Sequence, residues 1–580
     1  MGLNIQMPYI DQAGYAVVNI ADAVSDYDAL ARHQMTDSSG ASLVGFIHSG
    51  TGAAATDLQT RGRLSLFLSD YMTPNQKSDW IAGTMTVDMT SAFDAAQAAG
   101  ITAKIGTIKY SGKLAIASPV VVGTSGYPIN FVGEGAGTGC EVKALSAFTG
   151  GLFNILSGGV SGCVLTGFDS TTVGHSGIVL GNGTYFNQLI TVYNITNGGG
   201  LYDVINSIHE CDRLRISLIT SYNSIGRAVI WIVSSAPPAS LKIERCSMQN
   251  PTPNPVAGSA KKYGIYVNKT EEATIDSCII NRFDVNIFLG YDQKNWSPKI
   301  SNIHIEERRD SVYSATAWTA TTAHSLNDYT RTTAINCNGH FYICTVAGTT
   351  GSTEPTWPTT TGGTVVDGTV TWAECGSSIG ISLGQNDNGV MENIWIDQTL
   401  VCINSISANS MRLIDSTHLQ ASQSFYLQVA SQSTISLDNC SISGDIRLTG
   451  GSATTYWSAR NTTITSDTVG DVPSVPQGYF SNQSALPIKA QVTSIIADAT
   501  ASLFGGSYSI SCAAGNVTLT LPNAPTGTEY FVYRTDNSAN TVTISPPYGW
   551  LGGGSLTLAY GENALIRMIA GGTSVKNKGA

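Results

Sequence analysis

The chain has 580 residues, of which only 12% are charged, against about 25% in an ordinary soluble domain. Glycine occurs 61 times and 42% of residues are hydrophobic, which excludes both a disordered chain and a bundle of solvent-facing helices. A net charge of −11 argues against a nucleic-acid partner held through its phosphates. No run nears the roughly 18 apolar residues of a membrane-spanning helix, so no membrane partner is expected. What fits is a large β-rich protein of three or more domains.

The first residues, MGLNIQMPYIDQAGY, carry neither the basic nor the apolar stretch of an export signal. Asp22–Met35 is predicted as a helix, with Val24, Tyr27, Ala31 and Met35 on one face. A second short helix is predicted over Ser91–Ala99, starting at a serine and stopping at Gly100. The 11 cysteines are odd in number and form no CxxC pair, which suits buried free thiols in a protein folded in a reducing cytoplasm.

Beyond the second helix a repeat takes over. The pattern apolar-x-apolar-x-x-small-x-apolar recurs in LKIERCSM (241–248), ATIDSCII (273–280), PKISNIHI (298–305), GVMENIWI (389–396), MRLIDSTH (411–418), TISLDNCS (434–441) and YWSARNTT (456–463). The aligned inward positions are Ile243, Ile275, Ile300, Met391, Leu413, Leu437 and Ser458, at steps of 32, 25, 91, 22, 24 and 21 residues. LRISL (214–218) and CVLTGF (163–168) read as earlier copies. Repeats of this length, β-branched and bounded by Gly, Asn and Ser, predict a right-handed parallel β-helix with Cys246, Cys278 and Cys440 stacked inside. The 91-residue step holds an inserted small β module over 311–377, with Trp318, Trp357 and Trp372 divided between core and one sugar-stacking position. After a Pro-containing linker near Pro473, alternating strands such as NVTLTLP and NTVTISP predict a C-terminal β-sandwich.

Three stretches carry a resemblance. VGFIHSGTGAAATDLQTRGRLSLFLSDYM (44–72) resembles the segment between a virion anchor and a spike body, and the β-helix is entered through a short helix. LTLPNAPTGTEYFVYRTDNSANTVTISP (519–546) resembles the sandwich that ends many tail fibres. Together they resemble the phage tailspike capsule depolymerases of podoviruses that infect encapsulated bacteria such as Klebsiella. EPTWPTT…DGTVTW also resembles a module of phage carbohydrate-binding proteins. One departure is plain: the Asp-Phe-Gly-Ala…Gly-Asp-Gly…Asp-Asp-Thr entry of many spikes survives only in outline within SDYMTPNQKSDWIAGTMTVDMTSAFDAA (69–96). The resemblance implies a homotrimeric virion protein, released by lysis, whose β-helix over 91–310 and 378–472 degrades capsular polysaccharide. It implies docking on another tail or fibre protein through residues 1–90, a carbohydrate-binding insert, and a trimerisation or lectin-like end over 473–580.

Glycan hydrolysis needs two carboxyl groups about the cleaved bond, and equivalent outward positions on adjacent coils supply them at about 4.8 Å. The repeat places Glu244 and Asp276 in one outward column and Gln249, Asn281 and Glu306 in another. The loop FLGYDQKNWSPK (288–299) adds Tyr291, Asp292 and Trp296. Glu244, Asp276, Asp292 and Glu306 are therefore the catalytic candidates; Tyr263, Tyr266, Arg282, Tyr291, Trp296, Glu307 and Arg308 are candidates for holding sugar. The alternatives are a lyase acting on uronates and a non-catalytic receptor-binding fibre. The eight histidines show no ligand spacing and GEGAGTG (133–139) has no following helix, so neither a metal nor another cofactor is expected.

Overall fold

A computed structural model describes residues 45–46 and 56–57, most of 65–307 and 315–421, the strands within 434–465, and most of 493–579. The predicted helix Asp22–Met35 lies outside the described residues. The body is a parallel β-helix, and the repeat alignment predicts its register. Ile243 pairs with Ile275, Ile275 with Ile300, Ile300 with Met391, Met391 with Leu413, and Leu413 with Leu437. All of these are buried. The ladder runs upstream through Ile216, Val192, Val160, Phe131 and Ile108 to Leu66. Downstream, Leu437 pairs with Ala459, one residue beyond the expected Ser458, which pairs with Ser436. YWSARNTT offers two small residues in succession there, so no Ile or Leu marks the inward phase.

Two residues after each inward position the backbone turns left-handed. Gly162, Asn194, Leu218, Arg245, Ser277, Asn302, Asn393, Asp415 and Asn439 all lie at φ between 48 and 72°. This corner bends each coil, and the next residue points inward again: Cys246, Cys278, Ile303, Ile394 and Cys440 are buried there. Asn side chains knit the corner, Asn393 Nδ2 donating to Asn302 Oδ1 and Asn439 Nδ2 to Asp415 Oδ1, each at 2.8 Å. Leu218 has no such local bond to offer in a conformation costing about 1–2 kcal/mol for most residues. Leu218→Asn is expected to raise stability by about 1 kcal/mol, read as a higher urea midpoint; an unchanged or lower midpoint would contradict it.

The N-terminal end of the solenoid is closed by helices. Thr90–Ala103 starts where Asp88 Oδ1 accepts from the Thr90 N–H at 2.9 Å and runs past the expected stop at Gly100 to a left-handed Lys104. Gly100 sits within it because a Cβ there would lie 2.8 Å from the Ile105 carbonyl oxygen. The unforeseen helix Pro74–Ala82 carries a capping box between Thr73 and Gln76, with Pro at its first turn and Gly83 as its left-handed stop. Its signal, Thr-Pro-x-Gln before Gly, was in the sequence.

Between Glu307 and Ile379 the chain leaves the solenoid and forms a five-stranded sheet of Thr316–Ala317, Tyr329–Arg331, His340–Val346, Val370–Ser377 and Thr364–Asp367. The three tryptophans all pack into the module's core: Trp372 is fully buried, Trp357 nearly so, and Trp318 is partly buried with Nε1 donating to Asp367 Oδ2 at 2.6 Å. The exposed, sugar-stacking tryptophan expected here is therefore absent from this set. The C-terminal β-sandwich encloses Ile510, Leu519, Tyr530, Val532 and Ile544 between two sheets. Its first strands pair in parallel, Gly506–Ile510 with Glu529–Arg534 and Val517–Thr520 with Val542–Ser545, so the chain alternates between sheets before closing antiparallel through Asn563–Ile569 and Gly572–Gly579.

Candidate functional site

The predicted acidic column is formed: Glu244 pairs with Asp276 and Asp276 with Ser301 on successive coils. Both acids are engaged. Glu244 is 8% exposed, because Arg215 Nη2 and Lys242 Nζ close on its two oxygens at 2.5 and 2.6 Å. Those cations hold its carboxyl below the usual range. Burial alone would raise Asp276, but hydrogen bonds from Ser301, Asn302 and Ser277 outweigh it and lower the carboxyl. A basic column, Arg215–Lys242–Thr274–Lys299, runs two residues away on the same outward face. Paired columns of opposite sign neutralise this surface, and carboxylates fixed in the ionised form are poorly suited to donate a proton.

The aromatic candidates lie on the other long sheet. Tyr266 stacks between Trp231 (3.8 Å, 14°) and Phe288 (4.6 Å, 2°), so both of its faces are covered by neighbours rather than open to a sugar. Tyr263 meets the same three rings edge-on, and burial raises its hydroxyl to about 12. Arg282 follows the strand Ile279–Asn281 in left-handed backbone. Glu307, expected to face substrate, is fully buried, its Oε2 accepting from Ser378 Oγ at 2.9 Å where the insert rejoins the solenoid. Alternation explains this: Ile305 points in, Glu306 out and Glu307 in. Trp296 lies in a two-residue strand paired with Asn386–Asp387. Tyr291, Asp292 and Arg308 lie outside the described residues.

Past the corner of each coil, two further outward columns stand side by side. One reads Ser247, Ile279, His304 and Trp395; the other reads Gln249, Asn281, Glu306 and Asp397. Neither contains Lys or Arg. Trp395 is 42% exposed and lies parallel to His304, with centroids 5.8 Å apart and planes at 17°. Next to them Glu306 and Asp397 are in register on adjacent coils and half-buried. The Glu306 N–H donates to Asn281 Oδ1 at 2.9 Å, and the Glu307 N–H to the Asp397 carbonyl at 3.0 Å, fixing both coils. Asp397 Oδ1 and Gln398 Oε1 are buried without a hydrogen-bond partner among the described residues. A partly exposed tryptophan beside a carboxyl pair is an arrangement that could hold and cleave a sugar chain.

Glu306 is the one sequence candidate that stands in this group. Asp397 and Trp395 were legible by carrying the column across the insert, since PKISNIHIE and GVMENIWID align residue for residue.

No family model and no curated protein matches the chain. Among solved structures, tailspike protein 3 of bacteriophage CBA120 is similar at 11% identity and a TM-score of 0.41, covering 92% of this chain and 67% of that one. Two variants of the tailspike of E. coli bacteriophage HK620 are similar at 12% identity, with TM-scores of 0.37 and 0.36, each covering 92% of this chain and 89% of theirs. The parallel β-helix itself stands on the strand registers of this chain.

Proposed function

We propose that this chain is a phage tailspike whose β-helix binds and depolymerises host capsular polysaccharide by glycosidic hydrolysis. The observation that carries the reading is the outward face where exposed Trp395 stands beside the in-register pair Glu306 and Asp397. The sequence resemblances at 44–72 and 519–546 support the same role, as does a long solenoid of stacked coils. Hydrolysis is favoured over β-elimination because neither column carries a Lys or Arg to neutralise a uronate carboxylate. In this reading residues 1–90 dock on another tail or fibre protein, 311–377 assists glycan binding, and 473–580 serves trimerisation.

The test is a panel of purified capsular polysaccharides assayed for binding, new reducing ends and the ultraviolet absorbance of unsaturated uronates. Binding with reducing ends and no absorbance is expected; absorbance would reassign the protein as a lyase, and binding with no cleavage of any kind as a receptor-binding fibre. Trp395→Ala is expected to weaken binding of the capsule that is cleaved by roughly tenfold, the worth of one good aromatic contact. Unchanged binding would place the sugar elsewhere.

A further inference from the structure

We propose that Asp397 completes a catalytic carboxyl pair with Glu306, and that cleavage by this pair retains the configuration of the anomeric carbon. The proposal rests on the reading above and deepens it at the same face. Three observations carry it. The two residues are Cα partners on adjacent strands, projecting to the same side of the sheet. Adjacent strands lie about 4.8 Å apart, near the roughly 5–5.5 Å carboxyl separation of retaining enzymes and short of the 6.5–9.5 Å that leaves room for an attacking water. Asp397 Oδ1 is buried with no partner among the described residues, although buried polar atoms are ordinarily satisfied.

The chemistry closes on these two groups. One carboxylate attacks the anomeric carbon and forms an ester, while the other, protonated, gives its proton to the glycosidic oxygen as the C–O bond to the departing sugar breaks. Water then attacks the same carbon and passes a proton to the carboxylate that had given one. The ester C–O bond breaks, the nucleophile leaves as carboxylate, and two inversions restore the starting configuration. Trp395 lies one outward position away on the Asp397 strand and His304 likewise on the Glu306 strand, which places an aromatic floor beside the bond.

The experiment uses the full-length protein and a capsular polysaccharide that the wild type cleaves. Asp397→Asn and Glu306→Gln are each expected to lower reducing-end release by at least ~100-fold, as loss of a general acid or nucleophile does, with capsule binding and the unfolding midpoint kept. Proton NMR of the first products should show the anomer of the substrate. With added azide, the variant lacking the nucleophile should yield a glycosyl azide of inverted configuration and the other variant one of retained configuration. Activity within threefold of wild type in Asp397→Asn, or an inverted first product, overturns the pair while leaving the depolymerase reading intact. A wild type that binds capsule and releases no reducing ends overturns both.

Discussion

Replacing Phe93 by alanine should cost about 3–5 kcal/mol, as large-to-small changes at fully buried aromatic positions do. Phe93 has no exposed surface and sits where the helix Thr90–Ala103 plugs the first coils. Its ring meets Tyr110, Phe131 and Phe153 edge-on, at 5.8, 5.2 and 5.7 Å and angles of 70–80°. Phe131 belongs to the inward ladder and Phe153 to the facing sheet, so one side chain ties the helix to two walls of the solenoid. A solenoid is held coil by coil, and an opened end exposes the next coil to water. Hydrogen exchange of Phe93→Ala is therefore expected to quicken first in the strands Thr107–Tyr110 and Ile129–Gly133, with little change in the module that buries Trp372. Phe93→Leu, which keeps most of the volume, should lose less than half as much. A Phe93→Ala protein within 1 kcal/mol of wild type, or exchange that quickens evenly along the chain, would contradict this role.

The solenoid was legible because stacking repeats one inward residue at nearly constant spacing, and Ile243, Ile275 and Ile300 announce it. What failed was phase at weak copies and order between strands. At YWSARNTT nothing large and apolar marks the inward position. In the C-terminal block the same apolar alternation serves hairpins or coils equally, and only tertiary pairing reveals that Ser507 faces Phe531 in parallel. The candidate site shows a sharper limit. Outward columns follow from the repeat, so Glu244 with Asp276, and Gln249 with Asn281 and Glu306, were found. How far each acid is engaged depends on what closes over it, and that is set by side chains from neighbouring coils: Arg215 reaches Glu244 across one strand, 29 residues back in the sequence. The rich count of charges between 241 and 310 thus pointed partly to a neutralised wall. The insert separates Glu306 from its register partner Asp397 by 91 positions in the sequence.

Arg227→Ala, on the opposite sheet, is expected to cost about 3–5 kcal/mol near neutral pH. Arg227 reaches Asp203 with two bonds, Nε to Oδ1 at 3.0 Å and Nη2 to Oδ2 at 2.6 Å. Asp203 has no exposed surface, and its Oδ1 also accepts from the Ala228 N–H at 3.2 Å. The guanidinium lies 3.9 Å from the Trp231 ring centre and 5.1 Å from that of Tyr202, capping the aromatic stack that continues through Tyr266 to Phe288. Burial raises the Asp203 carboxyl above its ordinary value even though the Arg227 bonds and charge pull it down. An acid whose native pKa is raised contributes its stability fully below the unfolded value, near 4, and loses it as pH climbs through the native value. Without Arg227 the native value rises further, so the deficit of Arg227→Ala relative to wild type should be small at pH 4 and widen toward pH 7. Urea unfolding at the two pH values measures this directly. The double variant Arg227→Ala, Asp203→Asn removes the buried charge with its partner and should recover part of the loss at pH 7, because an amide needs hydrogen bonds but no counter-ion. A deficit equal at both pH values, with no recovery in the double variant, would mean that Arg227 acts through its packing on Trp231 and Tyr202 and that the ion pair adds little.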